Sequence, residues 1–150
     1  MAGICYYFTD PSSGAGVTTW DFASTTCKNM ATNELLGRKV GLAELGLAET
    51  WKSEKLMLQK ITDRNVSHWL GATDKANHGH WIWETSQRQL SLQDSYWKVG
   101  DPNSGGSEHC LLGVVHTNTI QNIKTKRTYL GDFPCNDVHN SKRPYVCQIF

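Results

Sequence analysis

The residues best suited to chemistry are oxygen donors gathered in the last third of the chain: Asp101-Pro102-Asn103, then Glu108 just before Cys110, then Asp132 three residues before Cys135. Carboxylates and amide carbonyls are what a hard cation takes, calcium using six to eight such oxygens, and a disulfide beside the ligands would hold the loops that present them. Taken alone, the same residues read more simply as solvated turn positions.

Other chemistries lack a specific pattern. The run from Gly100 to Ser107 has no lysine where a phosphate loop needs one, and it does not read as a strand-to-helix turn. No G-x-S-x-G elbow occurs and the cysteines read as bridged rather than nucleophilic, so an enzyme is not expected. His78 and His80 could offer two imidazoles to zinc, but no third ligand stands beside them, and they read as surface histidines leading into Trp81-Ile82-Trp83. Lys124, Lys126 and Arg127 could meet sulfated glycans, though such a run reads first as a solvated loop. Fifteen Lys and Arg against fourteen Asp and Glu leave a net charge of +1, too little to hold nucleic acid or an anionic membrane non-specifically. The apolar stretches fall far short of the ~20 residues that cross a bilayer, so no membrane span is expected.

The elements that must position these residues can be outlined from periodicity. At 150 residues the chain has the length of one domain, 1–150. Trp20, Ala23, Cys27, Met30 and Ala31 share one face of a helix of about three turns, with Thr18-x-x-Asp21 as its capping box. A second helix runs from Trp51 to Ile61, burying Met57, Leu58 and Ile61 while Glu54 and Lys55 look outward, and Gly37 to Gly46 links the two. Strand-like runs follow at Val66–Leu70, Trp81–Glu84, Leu111–His116, Thr128–Leu130 and Tyr145–Phe150. Helices first and strands after predict an α+β architecture whose long polar loops carry function.

Five cysteines without a C-x-x-C pair suggest disulfides rather than a metal knuckle. Two bridges can be drawn in fifteen ways, five choices of the leftover thiol times three pairings of the rest. Bridges place the chain in an oxidising compartment, secreted or extracellular, and the Asn65-Val66-Ser67 sequon makes Asn65 a candidate N-glycosylation site. Met1-Ala2-Gly3 reads as an expression start on a mature domain.

From Cys5-Tyr6-Tyr7-Phe8 to Val146-Cys147 the chain resembles a C-type lectin-like domain. Trp20-x-x-Ala-x-x-x-Cys27 resembles the family's first helix, Trp69-Leu70-Gly71-Ala72 is similar to its Trp-Ile-Gly-Leu motif, and Trp83 and Trp97 fall where it places core tryptophans. The resemblance implies two helices packed on small antiparallel sheets, a long loop region, and bridges Cys27–Cys147 and Cys110–Cys135. Cys5 is left unpaired or free to join another chain, which would make an oligomer.

The family's lectin members hold one calcium ion, which binds sugar, through a Glu-Pro-Asn triplet with a cis proline, a following Glu and an Asn-Asp pair. By resemblance Asp101, Asn103, Glu108 and Asp132 are the calcium and carbohydrate ligands, and the bond before Pro102 is cis. The triplet's first acid is here one methylene shorter, Gly131 replaces the amide of the pair, and Leu130 replaces the tryptophan before it. These departures imply weak calcium binding. An acid first and an amide third imply mannose- or fucose-type glycans as partners; the alternative is a protein-binding module with a degenerate calcium site. The family's auxiliary calcium site is poorly matched: Asp74 remains, but His78, Ser104 and His109 replace acids, so that site is expected to hold no calcium and Asp74 to cap a turn.

Overall fold

The computed structural model describes residues 4–31, 37–46, 51–103, 107–136 and 142–150. Strand β1 (Cys5–Phe8) opens the chain, followed by helix α1 (Trp20–Asn29), strand β2 (Val40–Leu42) and helix α2 (Trp51–Arg64). The strands β3 (His68–Thr73), β4 (Trp81–Trp83), β5 (Gln89–Leu90), β6 (Glu108–Ile120), β7 (Ile123–Pro134) and β8 (Val146–Ile149) complete it. The α+β class holds, but the expected order does not: β1 and β2 flank α1. These strands have four and three residues, too short for an alternating pattern to stand out from the sequence around them.

Two antiparallel sheets form, in the orders β1-β8-β2 and β5-β4-β3-β6-β7. In the first, the last strand lies between the first two, Tyr7 facing Cys147 and Leu42 facing Cys147 from the other side. The bridge Cys27–Cys147 then ties α1 to this sheet, and Cys110–Cys135 ties β6 to the end of β7. In the second sheet β6 and β7 make a long hairpin that runs from Glu108 opposite Pro134 to Ile120 opposite Ile123. Lys124, Lys126 and Arg127 therefore lie on a strand, not the expected loop.

Tryptophan packing joins the layers. Trp69, Trp81 and Trp83 are almost wholly buried, and Trp97 meets Trp81 edge to face at 5.4 Å between ring centres. The indole N–H of Trp20 donates to Leu70 O at 2.8 Å and that of Trp69 to Thr18 O at 2.9 Å, so the polar edges of these rings are satisfied inside the core. Gly71 explains itself here: a Cβ would lie 2.6 Å from Leu42 O, so only glycine lets β3 come this close to the end of β2.

Three local expectations fail. Helix α1 starts from Thr19 with no side-chain cap, and Asp21 pairs with Lys75 and Asn136 instead of closing a box with Thr18. Ala31 lies past the helix end and is exposed, while Met30 packs partly on the core. On α2, Met57, Leu58 and Ile61 are buried as expected, and so is Glu54, which shares their i, i+3, i+4, i+7 stripe. Its carboxylate and burial together push the Tyr6 phenol up to about 12, burial being the larger cause.

Candidate functional site

The oxygen-rich site is assembled by the base of the β6–β7 hairpin and one loop laid against it. Leu112 faces Gly131 and Leu111 faces Asp132, while the Cys110–Cys135 bridge fixes the strands just beyond. The loop runs beside β7: Leu130 N–H donates to Tyr96 O at 2.7 Å and Lys98 N–H donates to Leu130 O at 2.8 Å. A turn closes with Asp101 N–H donating to Lys98 O at 2.8 Å, Gly100 supplying the φ of +92° that it needs. The Asp101-Pro102 bond is cis, and the next backbone N–H, that of Asn103, donates to both carboxylate oxygens of Asp132 at 3.3 and 3.2 Å.

This brings Asp101 and Glu108 each within hydrogen-bonding reach of the buried Asp132 carboxylate. Burial holds the Asp101 carboxyl above its usual range, and the negative charge of Asp132 adds to that, with Lys98 offsetting part of it. Glu108 is raised in the same way, by burial first and then by Asp132 and Asp101. Three acids crowded so that two resist ionisation form a donor set that a divalent cation would relieve, and all-oxygen donors suit calcium. The residues present thus fit calcium in chemistry, with the backbone of Asn103 rather than an added acid steadying Asp132.

Gly131 is more than an absent amide. A Cβ there would lie 3.0 Å from Asp101 Oδ2 and 3.0 Å from Val114 Cγ2, so the Asp101 carboxylate lies over the glycine where a side chain would begin. The shorter acid and the missing side chain are coupled features of one surface. Ser104 lies outside the described residues.

The histidines arrange differently from their sequence spacing. His78 turns toward Asp74 and His109, not toward His80, because the Asp74–His80 loop folds back under Asn77 N–H to Asp74 O and His80 N–H to Asn77 O bonds of 3.2 and 2.9 Å. Asp74 does hold a turn, accepting from Gly79 N–H at 2.9 Å, but it also accepts from His109 Nδ1 at 2.8 Å. No local signal in the sequence joins positions 74 and 109; only the pairing of β3 with β6 does. Cys5 is an exposed thiol, and Asn65 is exposed in the left-handed region that ends α2. No helix among the described residues is long and apolar enough to cross a membrane.

Comparison with known proteins agrees with this architecture. The chain is 46% identical to perlucin of Haliotis laevigata over 46 residues, 30% of this chain and 28% of perlucin. It is 32% identical to salivary C-type lectin 2 of Aedes albopictus over 93 residues, 61% of this chain and 54% of that protein. The matches thus span about a quarter to a half of the length of these curated relatives. Among solved structures, the C-type lectin CEL-I from Cucumaria echinata superposes with a TM-score of 0.68 at 18% identity, covering 100% of this chain and 92% of that one. Herring type II antifreeze protein superposes with a TM-score of 0.62 at 18% identity, covering 99% and 91%. At these identities the structural likeness is one of fold. The Lectin C-type domain family matches residues 17–149, nearly the whole of the chain, and with both bridges and the tryptophan core in place the chain belongs to that family.

Proposed function

We propose that this chain binds glycans through one weakly held calcium ion at Asp101, Asn103, Glu108 and Asp132, with mannose- and fucose-type sugars preferred. The observation that carries the reading is the approach of Asp101 and of Glu108 to the buried Asp132 carboxylate at the base of the hairpin, both raised by burial first and by that charge second. Calcium supplies open coordination positions at which two vicinal sugar hydroxyls replace water. The carboxylates of Asp101 and Glu108 accept from those hydroxyls, and the Asn103 side-chain amide donates to them. An acid at 101 with an amide at 103 sets donors and acceptors in the order that favours mannose-type diols.

Each site is weak, because Gly131 brings no ligand and Asp101 is short, so useful avidity comes from several copies. The exposed Cys5 is suited to linking them. Two bridges, and a relative named as salivary, support a secreted or extracellular setting. The second reading, a protein-binding module, draws its support from Gly131 and the Asp101 carboxylate that lies over it.

Asp101→Ala separates the two. It is expected to abolish retention on immobilised mannose in millimolar calcium while the circular dichroism spectrum stays that of the wild type. Retention equal to the wild type would put sugar binding elsewhere and overturn this site, while a wild type that is itself not retained would favour the second reading.

A further inference from the structure

One residue beyond Glu108, His109 forms a compact cluster with Asp74 and His78. Their ligating atoms all lie within 4.8 Å of one another, and among the described residues they are the group of three acids, histidines or cysteines that meets this condition. Nδ1 of His109 is 2.8 Å from Asp74 Oδ1, Nδ1 of His78 is 3.6 Å from Asp74 Oδ2, and the two rings meet edge to face at 5.4 Å between centres.

We propose that Asp74, His78 and His109 hold a divalent transition-metal ion of the zinc class. The donor set is two imidazoles and one carboxylate, which suits zinc and its neighbours and not calcium, whose six to eight ligands are oxygens. Bonds of about 2.0–2.1 Å in a tetrahedron put donors about 3.3–3.4 Å apart. The two separations, 2.8 Å to Asp74 Oδ1 and 3.6 Å to Asp74 Oδ2, bracket that edge but reach different oxygens, so closure on one ion needs the carboxylate and the His78 ring to turn together. The ion takes the place of the hydrogen-bonded proton between His109 and Asp74, the neutral ring then carrying its proton on Nε2.

The support around the ligands is built in. Asp74 is 3% exposed and its Oδ2 accepts from Gly79 N–H at 2.9 Å, which fixes the carboxylate. The backbone carbonyl of His109 accepts from Asp74 N–H at 3.2 Å and from the Thr73 hydroxyl at 2.6 Å, tying the loop that begins at Asp74 to strand β6. The neighbouring Cys110 is bridged. His78, with half of its side chain in solvent, is the least enclosed of the three and the one with room to turn onto the ion. His109 also lines a cleft of about 440 Å³ with Lys75, Ser107 and Asn136, and the half-exposed His78 ring leaves the cluster open to solvent, from which water would supply the fourth ligand.

The test is titration of zinc chloride into calcium-saturated protein by calorimetry, with cobalt(II) as a spectroscopic substitute. One zinc per chain is expected, with calcium still bound, and cobalt should give the intense visible band of a four-coordinate site. Losing a direct ligand costs at least what losing an outer-shell partner does, so His78→Gln and His109→Gln should each weaken zinc about tenfold or more. His80→Gln should leave it unchanged. His78 is exposed, so its variant reports on the metal and not on folding. Absent zinc binding, zinc that competes with calcium, or either ligand variant binding as the wild type does would overturn the proposal.

Discussion

At the scale of single residues, the chemistry of this chain lies in side chains whose protonation the fold has altered. His68 is fully buried; burial lowers its imidazole to about 4, Arg64 adds to that, and the bond to Val66 O only partly opposes it. Val66 O and an Arg64 Nη atom lie 2.7 and 3.0 Å from its two nitrogens, which matches a neutral ring that donates from Nδ1 and accepts at Nε2. Between pH 6.5 and 4 the unfolded chain therefore binds a proton that the folded chain refuses, and stability is lost as the pH falls through that window. The loss expected is about 3 kcal/mol, readable by urea denaturation at several pH values, and His68→Asn should flatten that part of the profile. Asp101 and Glu108 act with the opposite sign in the calcium-free protein: their raised folded values make it gain stability as the pH falls toward the ordinary carboxylate range.

Gly131 gives a second test at this scale. Gly131→Ala pushes a Cβ against the Asp101 carboxylate without adding a ligand, and calcium should bind several-fold more weakly. Gly131→Asn imposes the same push but restores an amide oxygen, so it should bind calcium more tightly than the alanine variant. Equal affinities by calorimetry would mean that position 131 does not face the ion. That Asp101, Asn103 and Glu108 come close to Asp132 was legible in the sequence through the family resemblance; the packing of Asp101 over Gly131 was not, because it depends on how the 96–101 loop lies on β7.

At the scale of elements, long periodic segments were legible and short ones were not. The apolar stripe of α2 stood out, yet the same stripe concealed Glu54, whose charge argued for the surface while its position put it inside. The β6–β7 hairpin was read as two short runs because its outer half, apart from Ile120 and Ile123 beside the turn, is polar on both faces and its turn, Gln121-Asn122, contains no glycine. Both turn residues have positive φ, 51° and 65°, a region that costs an ordinary side chain such as Gln about 1–2 kcal/mol. Gln121→Gly is expected to slow amide exchange over residues 117–126 while leaving the global melting temperature nearly unchanged. This holds because the exposed tip frays separately from the buried base. A large rise in melting temperature would show that the tip unfolds together with the core.

At the scale of the whole molecule, two bridges and the pairing of β8 with β1 and β2 close the chain on itself. A crosslink over 120 residues and one over 25 both restrict the unfolded chain strongly, the longer one more, and they free the loops between β5 and β7 to be shaped for binding rather than for stability. The overall fold was legible through its tryptophans and cysteines, whose types are scarce and whose spacing is distinctive. The cluster of Asp74, His78 and His109 was not, since it joins a loop and a strand about 30 residues apart that only the sheet brings together.

The central claim is that the carboxylates at the base of the hairpin hold calcium and that calcium holds sugar. The measurement that tests it most directly is a glycan array probed with the whole chain in millimolar calcium and, in parallel, in excess chelator. Binding confined to mannose- and fucose-type glycans and present only with calcium is the predicted result. Binding that the chelator leaves untouched, or none in either condition, would contradict it.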